Sequence, residues 1–186
     1  LKAHFPDQSI EEADCLGRCH ENRAFQYNGI TYSGSDMDRV GDVKDGQERD
    51  SSYRVGSYGR SLLVKSVSKR INSLALMGLL LNSEPIELMG ELETSRFRCR
   101  GQSGIPMVEK LLPLYYTEAN RKLVICNAGA GGPGTYTDRY LMEQKPKKII
   151  WGMILAGHLI GAREGVIYLS NAFPKSIRQL EKTIKN

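Results

Sequence analysis

The sequence predicts an α/β fold in which helices pack on a parallel sheet. Lys122 to Cys126 and Gly165 to Ser170 are short apolar runs of strand length, and Lys148 to Gly161 between them is an apolar run of helix length. A glycine-bearing segment, Asn127 to Gly134, follows the first of these strands directly. Strand, helix and strand in that order imply parallel pairing through a crossover. Ligands of such sheets sit beyond the carboxyl ends of the strands, where the glycine-bearing segment lies.

Composition narrows the classes. The 186 residues are 40% apolar and 25% charged, the balance of one soluble domain or of a small domain with an appendage. The net charge of +5 comes from 26 basic and 21 acidic residues spread along the chain. Lys145, Lys147 and Lys148 read as a solvated helix start, and no aromatic interleaving suggests nucleic acid as a partner. The longest apolar run, Leu74 to Leu81, is half a membrane span at most, so no direct membrane span is expected. The four cysteines, Cys15, Cys19, Cys99 and Cys126, are spaced unlike a secreted disulfide framework, which implies a reducing, cytoplasmic compartment. Leu1 stands without an initiator Met, as expected of a processed chain or a piece of a longer one.

Taken in order, residues 1–34 hold the close pair Cys15 and Cys19, then an alternating stretch from Ala24 to Tyr32 around Asn28-Gly29. That pattern predicts a β-hairpin. Residues 35–60 are polar, rich in Ser, Gly, Asp and Arg, and read as a linker or long surface loop. Residues 61–186 form the remaining unit. It opens with a mostly apolar helix from Ser61 to Leu81, broken at Asn82-Ser83-Glu84-Pro85, and a second helix from Ile86 to Thr94. After the βαβ core, Lys175 to Lys185 is an amphipathic helix with Ile177, Leu180 and Ile184 on one side.

Two motifs carry chemistry. In Val124 to Leu141 a strand runs into Asn127 and a loop holding Gly129, Gly131, Gly132 and Gly134, then into Asp138-Arg139 at a helix start. Glycine has no Cβ and tolerates positive φ, so such a turn lets backbone N–H groups approach a phosphate or flavin. A tight strand-to-helix connection with no ligand is the competing reading. The second motif, Ser95 to Lys110, combines Arg98, Arg100, Gly101, Gly104, Pro106 and Lys110. Flexible backbone beside fixed positive charge suits the phosphates of a nucleotide. A basic surface loop would look the same. His158, within an apolar helix, reads as a packed histidine.

Together the motifs resemble a family. Ser95 to Lys110, SRFRCRGQSGIPMVEK, is similar to the SGLRGRGGAGFPTGLK loop of the NADH-binding flavoprotein subunit of respiratory complex I, shared with NAD-reducing hydrogenases and NAD-dependent formate dehydrogenases. Asn127 to Arg139, NAGAGGPGTYTDR, resembles that family's NADEGEPGTFKDR, and the likeness covers roughly residues 91–185. The resemblance implies a partial FMN-domain-like parallel sheet with helices and the cofactors FMN and NAD. It implies that Arg100, Gly101, Gly104 and Lys110 meet the phosphates, Asn127 the flavin, and Gly131 and Gly134 the cofactor through their backbone. It also implies the partners of a larger redox complex, whose other subunits carry electrons onward.

The front of the chain, Cys15-Leu16-Gly17-Arg18-Cys19 with its hairpin, resembles the end of the thioredoxin-like [2Fe-2S] domain that precedes this flavoprotein in several relatives. Residues 1–34 would then be the remnant of such a ferredoxin, with Cys15 and Cys19 holding one iron and the second pair of ligands coming from outside this chain. Two ordinary thiols are the alternative.

Departures from the pattern matter as much. Cys99 and Gln102 stand where the family has glycine, and Met107-Val108 where it has Thr-Gly. Gly129, Ala130 and Gly132 stand where it has Asp, Glu and Glu, the carboxylates that the resemblance assigns to nicotinamide, ribose or flavin groups. The stretch also ends before the segment that completes the family's FMN site and its [4Fe-4S] cysteines. The expectation is a homologue of a diaphorase-type NADH:acceptor oxidoreductase with a degraded FMN/NADH site, and no catalytic acid or base is nominated. The alternative is a non-catalytic scaffold or docking subunit of a redox assembly.

Overall fold

The computed structural model describes residues 1–13, 16, 18, 21, 23–47, 73–100, 104–129, 137–170 and 173–185. At the front, β1 (Ala24–Tyr27) and β2 (Ile30–Ser33) pair antiparallel, with Phe25 opposite Tyr32 and Tyr27 opposite Ile30. The turn is Asn28-Gly29, with φ of 48° and 79°. Two successive positive φ angles match the right-handed twist of the strands, which is why Asn-Gly closes two-residue hairpins. Phe25 and Tyr32 stack at 5.4 Å, and with Phe5 and Val43 they form a small core.

The polar stretch after the hairpin differs from the linker expected of it. Gly34–Arg39 is a 3-10 helix and Val40–Lys44 is a short α-helix, α1. Ser33 N–H donates to Asp36 Oδ2 at 2.8 Å and Ser35 N–H donates to Ser33 Oγ at 3.3 Å, so local capping organises the turn. Val43 supplies the anchor, being 1% exposed. A single buried valine among polar residues leaves too little period to reveal a helix. Residues 48–60 of the expected linker, and 61–72 of the expected first helix, lie outside the described residues.

The larger unit opens with α2 (Ser73–Asn82) and α3 (Pro85–Thr94). Pro85 begins α3 because its missing N–H would lie unbonded there anyway. Next comes α4 (Met107–Tyr116), a helix that starts within the stretch the sequence predicts to be a basic loop running to Lys110. Val108, Leu111, Leu112 and Tyr115, at helical spacing, pack on the core from it.

The strands follow. β3 (Leu123–Ala128) and β4 (Glu164–Leu169) pair parallel, with Asn127 opposite Tyr168 and Ala128 opposite Leu169. Between them run α5 (Thr137–Gln144) and α6 (Pro146–Ile160), and α7 (Pro174–Lys185) comes after β4. The mixed α/β architecture with a parallel sheet agrees with the fold class the sequence predicts.

Two cores meet on α6. One gathers Leu88, Met89 and Leu159, with α2, α4 and Leu155 around them; the other gathers Ala128, Met142 and Leu180 with Ile149, Ile150, Ile167 and Leu169. Close approach needs glycine at two points. A Cβ on Gly157 would lie 3.1 Å from the Ala162 carbonyl oxygen, and one on Gly165 would lie 3.0 Å from Met153 Cε. Gly161 ends α6 at φ 73°, with Ala162 N–H donating to the Gly157 carbonyl at 2.8 Å. This left-handed cap satisfies carbonyls that the helix leaves open and turns the chain into β4.

Leu159 is 2% exposed and Leu79 is 66% exposed. Leu159→Ala is therefore expected to cost about 3 kcal/mol, as truncation of a buried leucine does. Leu79→Ala should cost about 0.5 kcal/mol or less. Urea denaturation of both variants checks the contrast.

Candidate functional site

The site grows from the carboxyl end of β3. The Asn127 side-chain oxygen accepts from Gly129 N–H at 3.2 Å, folding the backbone back into an Asx turn. The ladder sets Tyr168 opposite Asn127, and the Tyr168 ring lies against the same turn. A Cβ on Gly129 would sit 3.2 Å from Asn127 Oδ1 and 3.2 Å from Tyr168 Cε1. Glycine is thus favoured here by a neighbouring ring. Tyr168 is the residue that sequence reasoning missed, because only strand register brings it to Asn127.

Beyond the turn, residues 130–136, Gly131 and Gly134 among them, lie outside the described residues. The chain is described again at α5, whose first turn carries Asp138 and Arg139. Arg139 Nε donates to Glu143 Oε1 at 2.8 Å, and the Glu143 side chain is 0% exposed. Lys175 Nζ stands 4.0 Å from the other carboxylate oxygen, and the Arg139 guanidinium lies 5.6 Å from the Phe173 ring. Arg139 therefore ties α5 to the start of α7. A buried carboxylate needs such cations to offset its lost hydration.

The cationic loop is partly self-bonded. Arg98 donates through a terminal guanidinium nitrogen to the Gly104 carbonyl at 3.0 Å, Cys99 N–H to Ile105 O at 2.9 Å, and Met107 N–H to Phe97 O at 2.9 Å. These bonds hold residues 97–99 against residues 104–107 just before and at the start of α4. Cys99 and Met107, two of the departures from the family pattern, touch each other with sulfurs 3.9 Å apart. Gly104 takes φ 54°, a left-handed turn that glycine adopts without strain. Arg100 and Lys110 are exposed, while Gly101 lies outside the described residues.

Two further contacts orient the elements. Lys122 Nζ donates to the carbonyls of Leu114 and Tyr115 at 2.8 and 3.2 Å, which ties the end of α4 to the start of β3. His158 Nε2 lies 2.9 Å from the Ser83 carbonyl oxygen and joins the end of α6 to the end of α2. That agrees with the packed histidine read from the sequence.

At the front, Cys15 and Cys19 lie outside the described residues. Arg18 between them is buried, donates to the Thr31 carbonyl at 2.5 Å and pairs with Glu21. Among the described residues no group of three or more His, Cys, Asp or Glu could hold a metal ion, and no helix is long and apolar enough to cross a membrane.

Two groups near the sheet are electrostatically perturbed. Burial pushes the Cys126 thiol above its ordinary value, and the Asp138 carboxylate raises it further. At the start of α6, burial lowers Lys148 and the neighbouring Lys145 charge lowers it again.

A parallel strand pair joined by helices, with a glycine-bearing turn at the carboxyl end of its first strand, is the architecture of mononucleotide-binding α/β domains. Residues 92–186 match the Nuo51 FMN-binding domain, and the chain belongs to that family. It is 38% identical over 90 residues to the alpha subunit of the NAD-reducing hydrogenase HoxS of Cupriavidus necator, covering 48% of this chain and 15% of that one. It is 32% identical over 100 residues to an NADH-quinone oxidoreductase subunit of Rhizobium meliloti, covering 54% and 24%. The H2-reduced crystal structure of an NAD+-reducing [NiFe]-hydrogenase aligns with a TM-score of 0.75 at 22% identity, covering 100% of this chain and 36% of that chain. The air-oxidised form gives 0.70 at 21% identity. These two likenesses show the fold. The chain spans about a quarter or less of the two sequence relatives' own lengths.

The perturbed thiol gives a test. At mildly alkaline pH, Cys126 is expected to react with a maleimide more slowly than Cys99, because the thiolate is the reactive form. Removing the Asp138 charge lowers the Cys126 pKa and raises its thiolate fraction. Asp138→Asn should therefore speed labelling at Cys126 and leave Cys99 unchanged, as peptide mapping of the labelled chain would report.

Proposed function

We propose that this chain is a homologue of the NADH-oxidising flavoprotein subunits, built into a larger electron-transfer assembly, that retains a phosphate-compatible frame and has lost the polar groups for flavin and nicotinamide. The observation carrying this reading is the turn at the end of β3. There Asn127 is engaged with Gly129, and Tyr168 occupies the space beside Gly129. The compartment expected of such a subunit is cytoplasmic.

The residues fit one part of FMN and not another. Arg100 and Lys110 are exposed cations flanking Gly104, whose Cβ position is open, and they suit the phosphate. FMN, when bound, supplies hydride acceptance and single-electron release. For its ring and for the ribose of NADH, positions 129, 130 and 132 offer glycine, alanine and glycine, with no carboxylate to accept a hydrogen bond. The chain's own chemistry then ends at anion binding and docking.

This favours the docking-subunit reading for turnover. We place residues 1–34 as the end of a thioredoxin-like [2Fe-2S] domain, residues 35–60 as a connector and residues 61–186 as the first part of the flavoprotein domain. Cys15 and Cys19 would give one iron two thiolates, the other ligands coming from outside this chain. Arg18, which lies between them in sequence, bonds to the Thr31 carbonyl of β2.

Calorimetric titration of FMN and NADH tests the proposal. A charge-assisted hydrogen bond contributes about 1.5–3 kcal/mol, so two missing acceptors weaken binding roughly a hundredfold or more. Restoring Ala130→Glu and Gly132→Glu together should tighten FMN or NADH at least about tenfold. Gly129→Asp should restore less, because its Cβ meets Tyr168 and Asn127. Tight FMN binding by the unmodified chain would overturn the degraded-site reading. Weak binding unchanged by restoration would assign the defect to segments outside this chain.

A further inference from the structure

Three lysines crowd the start of α6. Lys145 caps the helix, Pro146 is its first residue, and Lys147 and Lys148 follow in a first turn that carries no acidic side chain. Lys148 N–H donates to the Lys145 carbonyl at 3.0 Å, so these two lysines stand one turn apart. Lys145 and Lys148 are half-buried and Lys147 is exposed. The helix macrodipole has its positive end at this turn, where it adds to the lysine charges instead of opposing them. Glu143, the acid nearest in sequence, has Arg139 and Lys175 at its two carboxylate oxygens.

Such crowding has a chemical consequence. An ammonium group that is partly out of water and beside like charges loses its proton more readily than an exposed one, and only the neutral amine is a nucleophile. Burial and the Lys145 charge both act on Lys148 in that direction. The neighbouring lysines also set the sign of what approaches, because a local excess of positive charge concentrates anions. A nucleophilic amine and an anion-attracting surface therefore coincide within one turn of helix.

From this coincidence we infer that Lys148 is an acylation site, taking the acyl group of an anionic donor of the acyl phosphate class. In the step, the lone pair of Lys148 Nζ attacks the carbonyl carbon, a C–N bond forms, and the C–O bond to the phosphate breaks. Inorganic phosphate leaves with the bonding electron pair, and the proton lost from the amine passes to water. Nothing is oxidised or reduced. Lys145 and Lys147 attract and hold the phosphate of the donor by charge. The product amide is neutral, so acylation removes one of the three charges from the positive end of the helix and relieves the crowding that favours it.

The experiment labels the full chain at neutral pH with acetyl phosphate and, in parallel, with the uncharged N-hydroxysuccinimide ester of acetic acid, and follows each lysine by peptide mass spectrometry. With acetyl phosphate, Lys148 should acetylate about fivefold or more faster than the exposed Lys2 and Lys185. Lys147→Gln should cut that rate about threefold or more and change the rate with the ester by less than about twofold, with circular dichroism showing the helices retained. Equal rates at Lys148, Lys2 and Lys185 with acetyl phosphate would overturn the inference. So would a preference for Lys148 that is the same with both reagents or that survives Lys147→Gln, since no anionic donor would then be recognised. Neither flavin nor nicotinamide enters the measurement, so its outcome is independent of the flavin reading.

Discussion

The structure of the larger unit depends on the docking of α6 between two cores. One side of this helix meets α2, α3 and α4 through Leu155 and Leu159, and the other meets the sheet, α5 and α7 through Ile149 and Ile150. An isolated two-stranded sheet is marginal in water, so β3 and β4 hold their register because α6 supports both. Gly157 and Gly165 allow that approach, one by leaving room for the Ala162 carbonyl and the other for Met153. The site at the end of β3 inherits its geometry from this arrangement. Asn127 is positioned by the last pairs of the ladder, and Asp138 reaches Cys126 because α5 begins beside the strand end.

Much of this was legible in the residues. The hairpin followed from Asn28-Gly29, where two positive φ angles suit those residue types. Both strands, α6 and α7 fall within two residues of their expected limits at most ends, because apolar runs bounded by polar residues, glycine or proline mark them clearly. Parallel pairing followed from the order of elements. The helix Met107–Tyr116 was hidden because Arg100, Gly104 and Pro106 give the residues before it the texture of a loop. Gly34–Lys44 was hidden because its one deep anchor is Val43.

The site was legible in part, for reasons that are physical. Asn127 at a strand end, Gly104 in a tight turn, and Arg100 and Lys110 as exposed cations are local properties, and local sequence carries them. The contact of Tyr168 with Gly129 depends on register between strands far apart in the chain, and the Arg139–Glu143–Lys175 group depends on how α5 meets α7. Neither is encoded in a short window. Both alter the meaning of the motif, since Arg139 holds the scaffold together and Gly129 gives space to an aromatic ring. We propose that the family's frame is kept by packing residues, whereas its specificity rests on a few polar side chains that packing does not require.

That separation of frame from specificity is the central claim, and retained flavin tests it most directly. The full chain would be incubated with excess FMN, passed through a gel-filtration column, and the protein peak examined for visible flavin absorbance. The account predicts a folded protein peak with no flavin band. A peak carrying one FMN per chain would contradict it.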